Sequence, residues 1–81
     1  MKITVYTKSN CPNCVSAKAL LKAKGLEYTE ADVQSPQHEL AFALLLTETP
    51  SARQLPQVFI DGQRVGGLAG LQAALKQLGV L

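Results

Sequence analysis

The apolar and polar positions of this chain change period several times, and each change marks an element. Residues 2–7 alternate, with Ile3 and Val5 on one side and Thr4 and Tyr6 on the other. A period of two predicts a strand, and bulk on both sides suits a central one. Residues 8–10 are polar and predict a loop. Over residues 12–24 the composition turns to Ala, Leu and Lys, which are good helix formers, and Gly25 stands where a left-handed C′ residue ends a helix. Residues 26–32 return to strand character, with enough charge to suit an edge. Ser35-Pro36 reads as an N-cap followed by proline at N1, so a second helix is predicted from there to about Thr47, ahead of Pro50.

That second helix carries seven consecutive apolar residues, 40–46. A helix cannot turn all of them to one core, so some are predicted to be exposed and to offer a contact surface, unless Val80 and Leu81 fold back over them. Residues 57–61 predict a buried strand around Val58-Phe59-Ile60. Asp61-Gly62 is a hairpin signal, Arg64-Val65 begins the return strand, and Gly66-Gly67 breaks it. A last helix over residues 68–78 sets Leu71, Ala74, Leu75 and Leu78 on one face. The order β-α-β-α-β-β-α predicts an α/β fold, a four-stranded mixed sheet with helices on both faces, whose first strand–helix–strand is a parallel βαβ unit. No linker or repeat interrupts it, so residues 1–81 are predicted to form a single domain.

Composition narrows the function. At 47% apolar and 17% charged residues the chain is globular, and a net charge of +2 is too small to argue for nucleic acid. The distribution of charge says more. Residues 1–24 carry Lys2, Lys8, Lys18, Lys22 and Lys24 and no acid, whereas residues 27–48 carry Glu27, Glu30, Asp32, Glu39 and Glu48 and no Lys or Arg. With no signal sequence and no apolar run long enough to span a membrane, a thiol-reducing cytoplasmic setting is expected. There, a pair of cysteines points to catalysis more than to a structural cross-link.

The pair is Cys11-Pro12-Asn13-Cys14, at the start of the first predicted helix. Helix N-termini carry unpaired N–H groups and a partial positive charge, which favour a thiolate at Cys11, and Lys8 adds a nearby cation. Pro12 suits the first turn because its fixed φ is already helical. Cys14 falls one turn in, on the face of Ala17 and Leu21, so it is predicted to be mostly buried. Cys11 is thus the expected attacking thiol and Cys14 the resolving one. A zinc site would need four ligands, and beyond these two thiols the chain offers a single histidine, His38, at a helix start where a solvated side chain is expected. Lys18 and Lys22 share an exposed helical face and are expected only to solvate it.

With Cys-x-x-Cys opening its first helix, this order resembles the thioredoxin fold, and the sequence resembles a glutaredoxin. The residues that carry the likeness are Tyr6-Thr7-Lys8, Cys11-Pro12-Asn13-Cys14, Leu55-Pro56-Gln57-Val58-Phe59-Ile60-Asp61-Gly62 and Gly66-Gly67. The resemblance implies a thiol-disulfide oxidoreductase with no tightly bound cofactor. It would reduce protein disulfides and glutathione mixed disulfides and would itself be re-reduced by glutathione. It also implies a redox-active Cys11–Cys14 disulfide and a cis bond before Pro56. The implied glutathione site has Lys8 by a carboxylate and the Cys11 thiolate, and Leu55 pairing its backbone with the peptide. N–H groups at Leu68 and Ala69 would meet the γ-glutamyl carboxylate, with Pro12, Asn13 and Gly67 alongside. The residues themselves agree, since an exposed backbone edge binds extended peptides, a helix start binds anions, and glycine permits close approach. Arg53, near the Pro56 loop, is long enough to reach a carboxylate.

Two positions depart from the family pattern. Asn13 stands where a tyrosine is most frequent, and Ala69 and Gly70 stand where the family carries acids that meet the glutathione amino group. One alternative is a glutaredoxin-like redoxin that serves ribonucleotide reductase and draws electrons from thioredoxin reductase. Another, of a different class, is an iron–sulfur cluster carrier in which two chains share a cluster through Cys11 and bound glutathione. The primary expectation is a monomer whose partners are glutathione and disulfide-containing proteins, with no nucleic acid or membrane partner.

Overall fold

A computed structural model of the chain describes residues 1–80. The elements follow the expected order: β1 (Ile3–Thr7), α1 (Pro12–Ala23), β2 (Thr29–Asp32), α2 (Pro36–Glu48), a 3-10 turn (Pro50–Arg53), β3 (Gln57–Ile60), β4 (Gln63–Gly66) and α3 (Leu68–Gln77). The sheet order is β2-β1-β3-β4, with β1 parallel to β2 and antiparallel to β3, and β3 antiparallel to β4. This is the four-stranded mixed sheet with three helices that the hydrophobic pattern predicts.

One face of the sheet makes the main core. Ile3 and Val5 of β1 and Val58 and Ile60 of β3 pack with Ala17 and Leu21 of α1 and Leu71 and Leu75 of α3. On the opposite face Tyr6 meets Phe42 of α2 and Phe59 of β3, with ring centroids 6.1 and 5.7 Å apart. The strand period of two separates these sets and so decides which helix covers which face.

Helix ends follow their caps. Gly25, at φ +68, closes α1 in the left-handed conformation, and Ser35 accepts the Gln37 N–H at the start of α2. Asp61 and Gly62 both have positive φ and form the hairpin between β3 and β4. Three expectations need correction. The second strand covers four residues, not residues 26–32, because Leu26 gives its N–H to Leu21 O at the end of α1 and Leu26 and Tyr28 turn in against the core. Gly66 belongs to β4, and the break falls at Gly67. Lys18 does more than solvate its helix face, since its ammonium lies 2.9 Å from Glu30.

Helix α2 buries none of its residues fully, and Leu40 and Leu44 are 71% and 59% exposed. Val80 does not cover them. It packs against the α1/α3 core and gives its N–H to Leu75 O. The other half of that expectation, Leu81, lies outside the described residues.

Candidate functional site

The site begins at the mouth of α1. Cys11 is the N-cap, extended at φ −121° and ψ 98°, and its Sγ accepts the Cys14 N–H at 3.1 Å. A sulfur therefore performs the capping that a serine or aspartate oxygen usually performs. The same N–H and the helix dipole favour negative charge on that sulfur once the pair is reduced. Pro12 takes the first helical position, where its missing N–H leaves no bond unmade. Cys11 and Cys14 are disulfide-bonded, with Cα atoms 5.2 Å apart. Cys11 is 8% exposed and Cys14 1%, so the outer sulfur is the one a substrate can meet. Cys14 is buried with Ala17 and Leu21, as their shared helix face predicts.

Beside the pair runs a groove of about 350 Å3. Gln54, Leu55, Pro56 and Gln57 line one side, Gly67, Leu68 and Ala69 the other, with Asn13 and Arg64 completing it. The Leu55–Pro56 bond is cis, and the Leu55 carbonyl oxygen lies 3.6 Å from Cys11 Sγ. Gly67 caps α3 with no side-chain hydrogen bond, which leaves the first N–H groups of that helix open to a ligand. A Cβ on Gly67 would stand 3.4 Å from the Pro56 oxygen, so the two walls approach closely here. Gly66, at φ +104, adopts a backbone conformation that favours glycine.

Of the residues singled out in the sequence, Asn13, Leu55, Pro56, Gly67, Leu68 and Ala69 come together on this groove. Pro12 lies instead on an open depression with Asn10, Cys11 and Val15, on the outer side of the helix mouth. Lys8 and Arg53 are exposed and line neither. The groove's cation is Arg64, which the sequence reading passed over as the start of a return strand. Its Nε donates to Gln57 Oε1 at 2.8 Å, and the Gln57 amide donates in turn to the Gln54 carbonyl. Gln57 is 2% exposed, a buried polar side chain that these bonds satisfy. One signal was available: strand alternation sets Gln57 and Phe59 on the face opposite Val58 and Ile60. The bulge that brings Arg64 opposite Phe59 was not, because it depends on Val65 having no partner of its own in the pairing.

A mixed sheet with a helix-capping cysteine, its disulfide partner one turn on, and a cis-proline wall beside them define a thioredoxin-fold thiol-disulfide oxidoreductase. The glutaredoxin family model matches residues 3–65. The chain belongs to the glutaredoxin family. It is 40% identical over 72 residues to a probable glutaredoxin of Synechocystis, covering 89% of this chain and 80% of that one. It is 35% identical over 71 residues to glutaredoxin 3 of Escherichia coli K12, covering 88% and 82%. Among solved structures, a buckwheat glutaredoxin–glutathione complex superposes with a TM-score of 0.79 at 26% identity, covering 96% of this chain and 71% of that one.

Proposed function

We propose that the chain is a glutathione-dependent dithiol reductase of protein disulfides and of glutathione mixed disulfides, acting in the cytoplasm as a single-domain monomer. The observation that carries this reading is the groove. Leu55, whose carbonyl oxygen lies 3.6 Å from Cys11 Sγ, and the uncapped start of α3 both line it, which supports the reading. An extended γ-glutamyl tripeptide can pair with the Leu55 backbone while its carboxylate meets the N–H groups at Leu68 and Ala69.

The chemistry follows from the positions of the sulfurs. The reduced Cys11 thiolate attacks one sulfur of the substrate disulfide, and the other sulfur leaves with the electron pair and takes a proton. The mixed disulfide on Cys11 is then opened in one of two ways. Cys14 attacks it and releases the second substrate thiol, leaving the Cys11–Cys14 disulfide seen here. For a glutathione mixed disulfide, a free glutathione attacks instead and leaves as glutathione disulfide. Two glutathione molecules supply the two electrons that reduce the Cys11–Cys14 pair, at potentials of roughly −200 to −230 mV for this class.

The test is a comparison of electron donors. Turnover is expected with glutathione and glutathione reductase, at a raised KM because Ala69 offers no anchor for the glutathione amino group. An exposed contact of that kind is worth at most about 1 kcal/mol, or roughly fivefold in affinity. Ala69→Asp is expected to lower the KM several-fold with little change in kcat, since the contact forms equally in the ground and transition states. Failure with millimolar glutathione, together with full turnover on thioredoxin reductase, would replace this reading with the redoxin one.

A further inference from the structure

Cys11 is not among the residues that line the groove. It lines the open depression on the outer side of the helix mouth, about 510 Å3 in volume, with Asn10, Pro12 and Val15. The two hollows share no residue. We propose that this depression is where protein substrates dock, that it takes an apolar side chain next to the substrate's half-cystine, and that Val15 selects for it. The inference rests on the protein-disulfide reading above and deepens it, and it does not depend on which donor re-reduces the pair.

Val15 is 62% exposed in the first turns of α1, where it joins neither the core nor the groove. Pro12 at i−3 and Ala19 at i+4 are exposed on the same helix face, so an apolar stripe leads away from Cys11 until Lys22 ends it. Asn10, at φ 57, takes the left-handed conformation that asparagine tolerates, and the chain turns there into the N-cap. None of the residues that line the depression is charged.

The order of sulfur attack gives the depression its occupant. Thiol–disulfide exchange is a displacement at sulfur, so the attacking and departing sulfurs lie on opposite sides of the central one. Cys14 is 1% exposed and attacks Cys11 Sγ from within. The substrate sulfur therefore departs on the open side of Cys11, and the residues that flank it in the substrate chain pass over Asn10, Pro12 and Val15. Glutathione has no apolar side chain on either side of its cysteine and leaves Val15 uncovered. A polypeptide with leucine or valine beside its half-cystine removes apolar surface from water on both partners.

The experiment times the reaction of the reduced protein with mixed disulfides of thionitrobenzoate and capped tripeptides. The Cys11 thiolate attacks the peptide sulfur, a Cys11–peptide disulfide forms, the original S–S bond breaks, and coloured thionitrobenzoate leaves with the electron pair. Gly-Cys-Gly, Leu-Cys-Gly and Gly-Cys-Leu are compared, and each rate is divided by that of the same peptide with mercaptoethanol to remove intrinsic differences. At least one leucine peptide is expected to react roughly fivefold faster than the glycine peptide, the worth of about 40 Å2 of apolar surface removed from water. In Val15→Ser that ratio is expected to fall below about twofold. The readout is a ratio within one protein, so a change in the reactivity of Cys11 itself cancels.

Equal corrected rates for all three peptides overturn the proposal. So does a leucine preference that Val15→Ser keeps in full, which seats the side chain elsewhere. A preference that fades as protein concentration rises gives the depression to a second copy of the chain and overturns it too. The peptide comparison needs no variant and stands even if Val15→Ser fails to fold. A reduced protein that releases thionitrobenzoate from every peptide no faster than mercaptoethanol does overturns the function proposed above, and this inference with it.

Discussion

Cys11 and Cys14 sit one helical turn apart, yet their surroundings assign them different work. Cys11 is buried but for a small exposed part, with its sulfur on an N–H donor, and Cys14 is buried almost completely. Cys14→Ser is expected to retain reduction of glutathione mixed disulfides, to lose most protein-disulfide reduction, and to trap a mixed disulfide on Cys11 that mass spectrometry detects. Cys11→Ser is expected to be inactive in both assays, and substantial remaining activity would reverse the roles. Cys11 was legible in the sequence because a helix start can be read from Pro12 and the Ala/Leu/Lys run. Gly70 was not, because its importance comes from a carbonyl on another element. Its missing Cβ lets α3 lie against Val65. Gly70→Ala gains about 1 kcal/mol of helix propensity but forces backbone apart, at about 1–3 kcal/mol or more for overpacking. A net fall in thermal midpoint is expected, at roughly 4–8 °C per kcal/mol for a domain of this size. Calorimetry that finds Gly70→Ala as stable as the parent would remove the packing argument.

Among the elements, β2 depends most on side chains for its place. It is a four-residue edge strand with one buried residue, Ala31. Glu30 ties it inward: Lys18 of α1 lies 2.9 Å from the carboxylate, and the buried Thr7 hydroxyl of β1 donates to it at 2.8 Å. The Lys18 hydrogen bond first, and Thr7 second, hold the Glu30 carboxyl below its ordinary 4.5. A carboxyl depressed by folding stabilises the native state above its unfolded pKa, and that contribution is lost as pH falls through the lower, folded value. Glu30 is well exposed, so solvent screens the pair. Glu30→Gln is expected to destabilise by less than about 1 kcal/mol at neutral pH, with the difference from the parent closing as the pH drops below that ordinary value. Urea titrations at neutral and acid pH would show it, and a difference that widened in acid would contradict the sign. The sequence marked β2 as charged and therefore an edge, but not that Lys18 crosses to it, since i,i+4 spacing speaks only of neighbours on one helix. For α2 it foresaw exposed leucines, because no helix face can hide residues 40–46 together. It could not foresee where Val80 goes.

Over the whole molecule, the order of elements and the sheet were readable because period and turn residues agree at almost every step. The groove was half readable: the glycines and prolines announce it, while the Gln54–Gln57–Arg64 chain needs strand register and a bulge to be seen. The disulfide has a consequence for the molecule as a thermodynamic object. It joins the N-cap of α1 to a residue in the first turns of the same helix, so opening it asks no second element to move. Oxidation, reduction, folding and unfolding then close a cycle. The stability lost or gained on reduction equals the gap between the potentials of the folded and unfolded pair, about 30 mV for each 1.4 kcal/mol. A thiolate accepts a hydrogen bond more strongly than a disulfide sulfur does, so the Cys14 N–H and the helix end are expected to favour the reduced folded pair and to make it the stronger oxidant of the two. The reduced protein should therefore resist denaturant better than the short span of the cross-link alone would suggest. Two melting curves, one with the pair closed and one with it open, serve as an electrode for this protein.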